Sequence, residues 1–178
     1  MRWSKLKQNI ESFFCEKLRE RVKLHNTVYH RVRFYYGRAW ISVDGKEIYD
    51  FNDFANYRIS SQIRDQILRT NKTTKNIDDE FYDQINEVSI RAMKGTGIQN
   101  KYQFEDDLYE YLRTSAHKAL KSNNIVHKSL AIIDRRIGKR TLVSPELSKI
   151  RHPLFTTLYK LRLEVEGIDI DKIYKKHK

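Results

Sequence analysis

Residues 38–51 read Arg38-Ala39-Trp40-Ile41-Ser42-Val43-Asp44-Gly45-Lys46-Glu47-Ile48-Tyr49-Asp50-Phe51. Two runs of strand-forming residues flank Asp44-Gly45, a dipeptide suited to a two-residue type I′ turn because both of its turn positions need positive φ. The turn sets the register. Ile41 pairs with Ile48 on one face, and Trp40 with Tyr49 and Ser42 with Glu47 on the other. An antiparallel hairpin with strands at about 38–43 and 46–51 is expected.

Working outward, residues 21–34 also alternate with period two. Val22, Leu24, Val28, Val32 and Phe34 share an apolar side. Arg21, Lys23, His25, Thr27, Tyr29, Arg31 and Arg33 form a cationic, partly aromatic side. Tyr35-Tyr36-Gly37 then turns the chain into the hairpin, which completes a three-stranded meander. Residues 4–18 read as an amphipathic helix on Leu6, Ile10, Phe13, Phe14 and Leu18, with Ser4 as its N-cap. After residue 52 the chain reads as helical. Asn52 or Asp53 caps a helix bearing Phe54, Ile59, Ile63 and Ile67, and residues 70–76 form a polar loop. Asp78 opens a helix to about Met93. Another runs from Phe104 to Lys121, with Glu105, Asp106 and Asp107 in its first turn and Lys118 and Lys121 in its last, complementing the macrodipole. Val126, Leu130, Ile133 and Ile137 mark a further helix ending at Gly138 as its C′ residue. Ser144-Pro145 starts a short turn of helix, and His152-Pro153 starts the last one, closed by Gly167. The expected fold is α+β: a small three-stranded antiparallel sheet near the N-terminus packed against five or six helices. Residues 1–167 form a single domain and 168–178 a charged tail.

Composition sets the outer limits. A chain of 178 residues buries a core without metal or disulfide. Its aromatic fraction of 12% argues against disorder. The single cysteine, Cys15, cannot form an internal disulfide and reads as a small core hydrophobe on the first helix. No segment has the length and apolarity of a membrane span, and the N-terminus lacks the apolar stretch of a secretion signal, so cytoplasmic residence without membrane contact is the expectation.

The net charge of +12 is unevenly placed. Residues 1–50 carry eleven basic and six acidic side chains, and 51–77 five and two. Residues 78–111 reverse the sign with three basic and nine acidic, and 112–163 restore it with twelve basic and two acidic. Blocks of this kind point to a polyanionic partner, set against the plainer reading of a generally well-solvated basic surface.

The densest cationic stretch is Asp134-Arg135-Arg136-Ile137-Gly138-Lys139-Arg140. A helix C-terminus attracts cations, but four in six residues exceed what one helix end needs. Arg135, Arg136, Lys139 and Arg140, extended by Arg151, Lys149 and Lys128, are therefore candidate phosphate contacts. The strand face Arg21, Lys23, Arg31 and Arg33, with His25, Tyr29, Trp40 and Tyr49, is the second candidate. Cations interleaved with aromatics on a sheet suit stacking of single-stranded bases. The competing reading has helices covering that face.

Catalytic signals are weaker. Met93-Lys94-Gly95-Thr96-Gly97-Ile98 lacks phosphate-loop spacing and reads as a turn. Asp78-Asp79-Glu80 and Glu105-Asp106-Asp107 could hold Mg²⁺ for a nuclease, but first helical turns account for them without metal. The six histidines show no metal-ligand spacing, and no cofactor or metal is expected. Among His25, His30, His117, His127 and His152, the last is the candidate for general acid–base work, since it precedes a proline beside several cations.

Trp3-Ser4-Lys5, Glu11-Ser12-Phe13 with Cys15, Gly37 to Ile48, Asp134 to Arg140, His152-Pro153-Leu154 and Leu161 to Gly167 together resemble a family of short bacterial proteins. The resemblance spans most of the chain. It implies bacterial, cytoplasmic origin and a whole-chain domain, and it carries no activity or site residue with it.

The leading functional expectation is nucleic-acid association through phosphate contacts, RNA ahead of DNA because no DNA-reading motif is present. Two alternatives stand beside it. One is a metal-independent ribonuclease or toxin-like effector using His152. The other is a regulatory module whose basic face meets an acidic protein.

Overall fold

The computed structural model describes residues 1–29, 37–70, 83, 85, 87, 88 and 99–169; of 54–56 only the backbone is described. Among the described residues the elements are α1 (Trp3–Phe13), α2 (Glu16–Arg19), β1 (Val22–Val28), β2 (Gly37–Val43), β3 (Lys46–Asn52) and α3 (Asp53–Thr70). They continue with α4 (Lys101–Leu112), α5 (Ala116–Lys121), α6 (Ile125–Ile133), α7 (Lys139–Leu142), α8 (Pro145–Ser148) and α9 (Pro153–Glu166). The strands form one antiparallel sheet in the order β1-β2-β3, so the fold is α+β as the hairpin predicts. Asp44 and Gly45 have φ of 51° and 78°, both positive, as a type I′ turn requires.

The first strand begins at Val22, one residue later than expected, and Thr70, expected in the polar loop, is the last residue of α3. Residues 30–34 at the expected far end of that strand, the rest of the loop over 71–76 and the segment Met93–Ile98 lie outside the described residues. So does most of the helix from Asp78, although Asp83, Ile85, Glu87 and Val88 are helical.

Several boundaries differ from expectation, each for a local reason. The first helix begins at Trp3, with Arg2 rather than Ser4 in the N-cap position, and it stops at Phe13. Phe14 and Cys15 are extended, because the backbone here pairs sideways: Ile133 O accepts from Cys15 N at 2.8 Å and Phe13 O from Arg135 N at 2.8 Å. Cys15 is buried as predicted, but in this break rather than on a helix. The helix expected from Phe104 starts earlier, at Lys101. Asn100 Oδ1 accepts from Gln103 N, and Gln103 Oε1 accepts from Asn100 N, a reciprocal cap that opens the helix there. Glu105, Asp106 and Asp107 therefore lie past the first turn and do not complement the dipole as expected. The same helix breaks after Leu112, and Ser115 caps the new start by accepting from Lys118 N.

Contacts divide the chain into two compact units. Met1–Asn26, Trp40–Asp50 and Phe104–Lys178 form one; Thr27–Ala39 and Phe51–Gln103 form the other. In the first, α6 is the central helix. Val126, Leu130, Ala131, Ile132 and Ile133 are buried, and α5 and α9 both pack against it. A helix apolar on nearly every side belongs in a core. In the second unit, buried Asp53 accepts from Gly37 N at 2.8 Å and from Lys101 N at 2.9 Å. The backbone at Gly37 comes so close to Thr27 O that an added Cβ would lie 2.6 Å from it.

Candidate polyanion-binding segment

The segment 134–140 is not a helix end with a glycine cap. Helix α6 stops at Ile133, where Asp134 turns extended (φ −70°, ψ 134°), and Gly138 instead precedes α7 with φ −84°. The physical cause is the Asp134 carboxylate, which is 0% exposed. It accepts from the backbone N of Arg136 at 2.8 Å, a local turn that competes with helix. It also accepts from the Tyr111 hydroxyl at 2.8 Å and from Arg136 Nη2 at 2.6 Å. The Arg136 guanidinium lies over the Phe13 ring, 4.2 Å from its centroid. Burial, reinforced by the Asp134 charge, pushes the Tyr111 hydroxyl far above its ordinary pKa. The hydrogen bond to Asp134 raises Arg136 likewise. Both groups thus keep their protons, and the turn keeps its donors.

A second support comes from α9. Arg162, 3% exposed, donates through Nη2 to Ile137 O at 3.1 Å and pairs with Glu166 at 3.2 Å. Lys139 Nζ donates to Glu166 O at 2.9 Å and lies 3.4 Å from the Glu166 carboxylate. Arg135 and Arg140 are exposed on this braced backbone.

The last turn of α9 also collects the other basic region. Arg21 reaches Glu164 at 3.3 Å and binds Asp44 at 2.7 Å. The Asp44 hydrogen bond raises Arg21, and the same bond lowers Asp44. Lys17 Nζ donates to Val165 O at 2.8 Å. Lys17, Arg21, Lys139 and Arg162, far apart in sequence, therefore meet at one helix C-terminus. Asp44 and Glu164 are half or more exposed, so these are surface ion pairs of little net stability that a competing anion can replace.

The remaining predicted contacts are placed as follows. Arg151 is exposed and donates to Ser148 O at 2.7 Å. Lys23 pairs with Glu20 at 3.1 Å. Arg31, Arg33 and His30 lie outside the described residues. The aromatic side of the hairpin is half-buried and turned toward other rings of the same chain. His25 stacks on Trp40 with centroids 4.8 Å apart and hydrogen-bonds Ser42 Oγ at 2.8 Å. Tyr49 lies against His152, its hydroxyl 3.3 Å from Nε2. Burial lowers the pKa of His152, and burial with the Lys7 charge lowers that of His25.

The sequence reading did not pick out Lys17, Tyr111, Arg162, Glu164 or Glu166. One signal was there to use: carboxylates in a helix's last turn oppose its dipole, and Glu164 and Glu166 in α9 therefore announce cationic partners.

Among the described residues no helix is long and apolar enough to cross a membrane. No curated protein and no solved structure matches the chain. The model of the SF0329 protein family matches residues 2–163, nearly the whole length, and the chain therefore belongs to that family.

Proposed function

We propose that the protein associates with nucleic acid through phosphate contacts, with single-stranded RNA preferred to duplex DNA. The observation that carries this reading is the braced turn at 134–140. It exposes Arg135 and Arg140 on a backbone held by Asp134, Tyr111 and Arg162, beside a helix terminus that gathers Lys17, Arg21 and Lys139. Cations on a rigid support lose little conformational entropy when they meet phosphate. The preference for RNA rests on the lack of any DNA-reading motif in the sequence.

The test uses the full chain and a fluorescent single-stranded RNA, with affinity followed by anisotropy as salt is raised. Each lost phosphate contact flattens the log–log salt slope by about 0.7 on a single strand. Arg135→Ala with Arg140→Ala is expected to weaken binding and flatten that slope by about 1.4. Unchanged affinity in the double variant overturns the assignment of this turn. Tighter binding to duplex DNA than to RNA reverses the stated preference.

A further inference from the structure

We propose that the outward face of α5, with Arg113 just ahead of it, is a second surface that takes the sugar–phosphate backbone of a nucleic acid. It is formed by Arg113, His117, Lys118 and Lys121, all of them exposed. The inference rests on the reading of the protein as a nucleic-acid binder and gives that binder a contact beyond the turn at 134–140.

The helix divides cleanly. Ala116, Ala119 and Leu120 on one side of α5 are buried, and α5 packs against α6. His117, Lys118 and Lys121 fall within an arc of about 100° on the opposite side, at 3.6 residues per turn. The apolar side is used up in the core, so α5 has none left for a membrane interior or an apolar groove. What it presents to a partner is charge.

That charge has no counterpart within the chain. No acidic side chain occurs from Tyr111 to Ile133. Lys7, Arg21, Arg136 and Lys139 are each paired with a carboxylate of the protein. Among the described residues the side chains of Arg113, His117, Lys118 and Lys121 make no ion pair or hydrogen bond. Lys118 and Lys121 are also neighbours at i,i+3, where like charges repel. The helix dipole favours these two lysines in the last turn. It does not favour Arg113, which stands two residues ahead of the N-cap Ser115, at the positive end.

Three cations without a counter-charge are complementary to a polyanion. His117 selects nucleic acid over a carboxylate-rich protein, because an exposed imidazole among cations offers a flat ring on which an unpaired base can stack. Tyr111 ties the start of this region to the turn, its hydroxyl donating to Asp134 at 2.8 Å. Lys121 lies just before the other end of α6, a helix of nine residues, about 14 Å long.

The plainer account is a solvated basic face that binds nothing, and salt-dependent affinity separates the two. The full chain, its Lys118→Gln/Lys121→Gln variant and a Lys5→Gln/Lys160→Gln control are titrated against a fluorescent single-stranded RNA as salt is raised. Both pairs are exposed and lose the same charge, so the folded circular-dichroism spectrum should be kept in each. The α5 variant is expected to bind more weakly and to flatten the log–log salt slope by about 1.4, while the control leaves the slope unchanged. Combined with Arg135→Ala and Arg140→Ala, the loss of slope should reach about 2.8. An effect in the α5 variant but none in Arg135→Ala/Arg140→Ala supports this surface and overturns the assignment of the turn. The reverse overturns this surface alone. A control that flattens the slope as much as the α5 variant also overturns it, since the effect would then be one of total charge. A chain that binds vesicles of phosphatidylcholine and phosphatidylserine but not RNA overturns both assignments.

Discussion

Asp134 shows how one side chain decides the shape of a loop. Its carboxylate has no exposure and holds Tyr111, Arg136 and the backbone of the turn together. Asp134→Ala leaves a buried hydroxyl and a guanidinium without their acceptor. The expected cost is about 2–4 kcal/mol in urea unfolding, less than for a wholly buried pair because Arg136 can turn to solvent. Tyr111→Phe removes one donor and keeps the ion pair, so it should cost about 1 kcal/mol. Equal losses in the two variants would refute this ranking. His152 makes a different prediction. Its lowered pKa means that the folded protein binds the proton more weakly than the unfolded chain does. Stability should therefore fall as pH drops below about 6.5 toward the depressed native value. Melting temperatures across that range should fall less steeply in His152→Asn; identical profiles would exclude His152 as the source.

Among the elements, the β2–β3 hairpin was legible because its information is local. Turn chemistry and alternation lie within fourteen consecutive residues, and the observed φ angles at Asp44 and Gly45 match them. Nothing stands within 4 Å of where a Gly45 Cβ would sit, so Gly45→Ala tests the backbone conformation alone. The expected cost is about 1–2 kcal/mol, the strain of an alanine in the left-handed region. An unchanged urea midpoint would contradict the turn type. Helix boundaries were less legible. The break at Phe14-Cys15 and the end of α6 at Ile133 are one event: backbone groups at 13–15 pair with those at 133–135. Apolar spacing runs unbroken through both places, since a residue in such a break still faces the core. Periodicity therefore ran the first helix through its break and carried the other on to Gly138. Gly167, with φ 67° and left-handed, ends α9 where expected because that cap is local.

For the whole molecule, binder and nuclease separate in one assay. RNA incubated with the protein should remain intact in EDTA and in Mg²⁺, because cleavage needs an accessible base at the scissile phosphate, and His152 is half-buried with Nε2 facing Tyr49. RNA cutting that disappears in His152→Ala while binding persists would establish the ribonuclease alternative. The sequence alone determined the α+β class, the hairpin and its turn, the starts of α8 and α9 at proline, the apolar stripe of α6 and the net charge of +12. Each of these depends on composition or on residues within a few positions of one another. Only the tertiary structure decided which charges are engaged and with what. Arg136 is committed to Asp134, Arg162 is buried beneath the turn, and Arg21 and Lys139 share the end of α9 across more than a hundred residues of chain. Ionic interactions depend on distance in space, and a linear sequence records that distance only for neighbours along the chain.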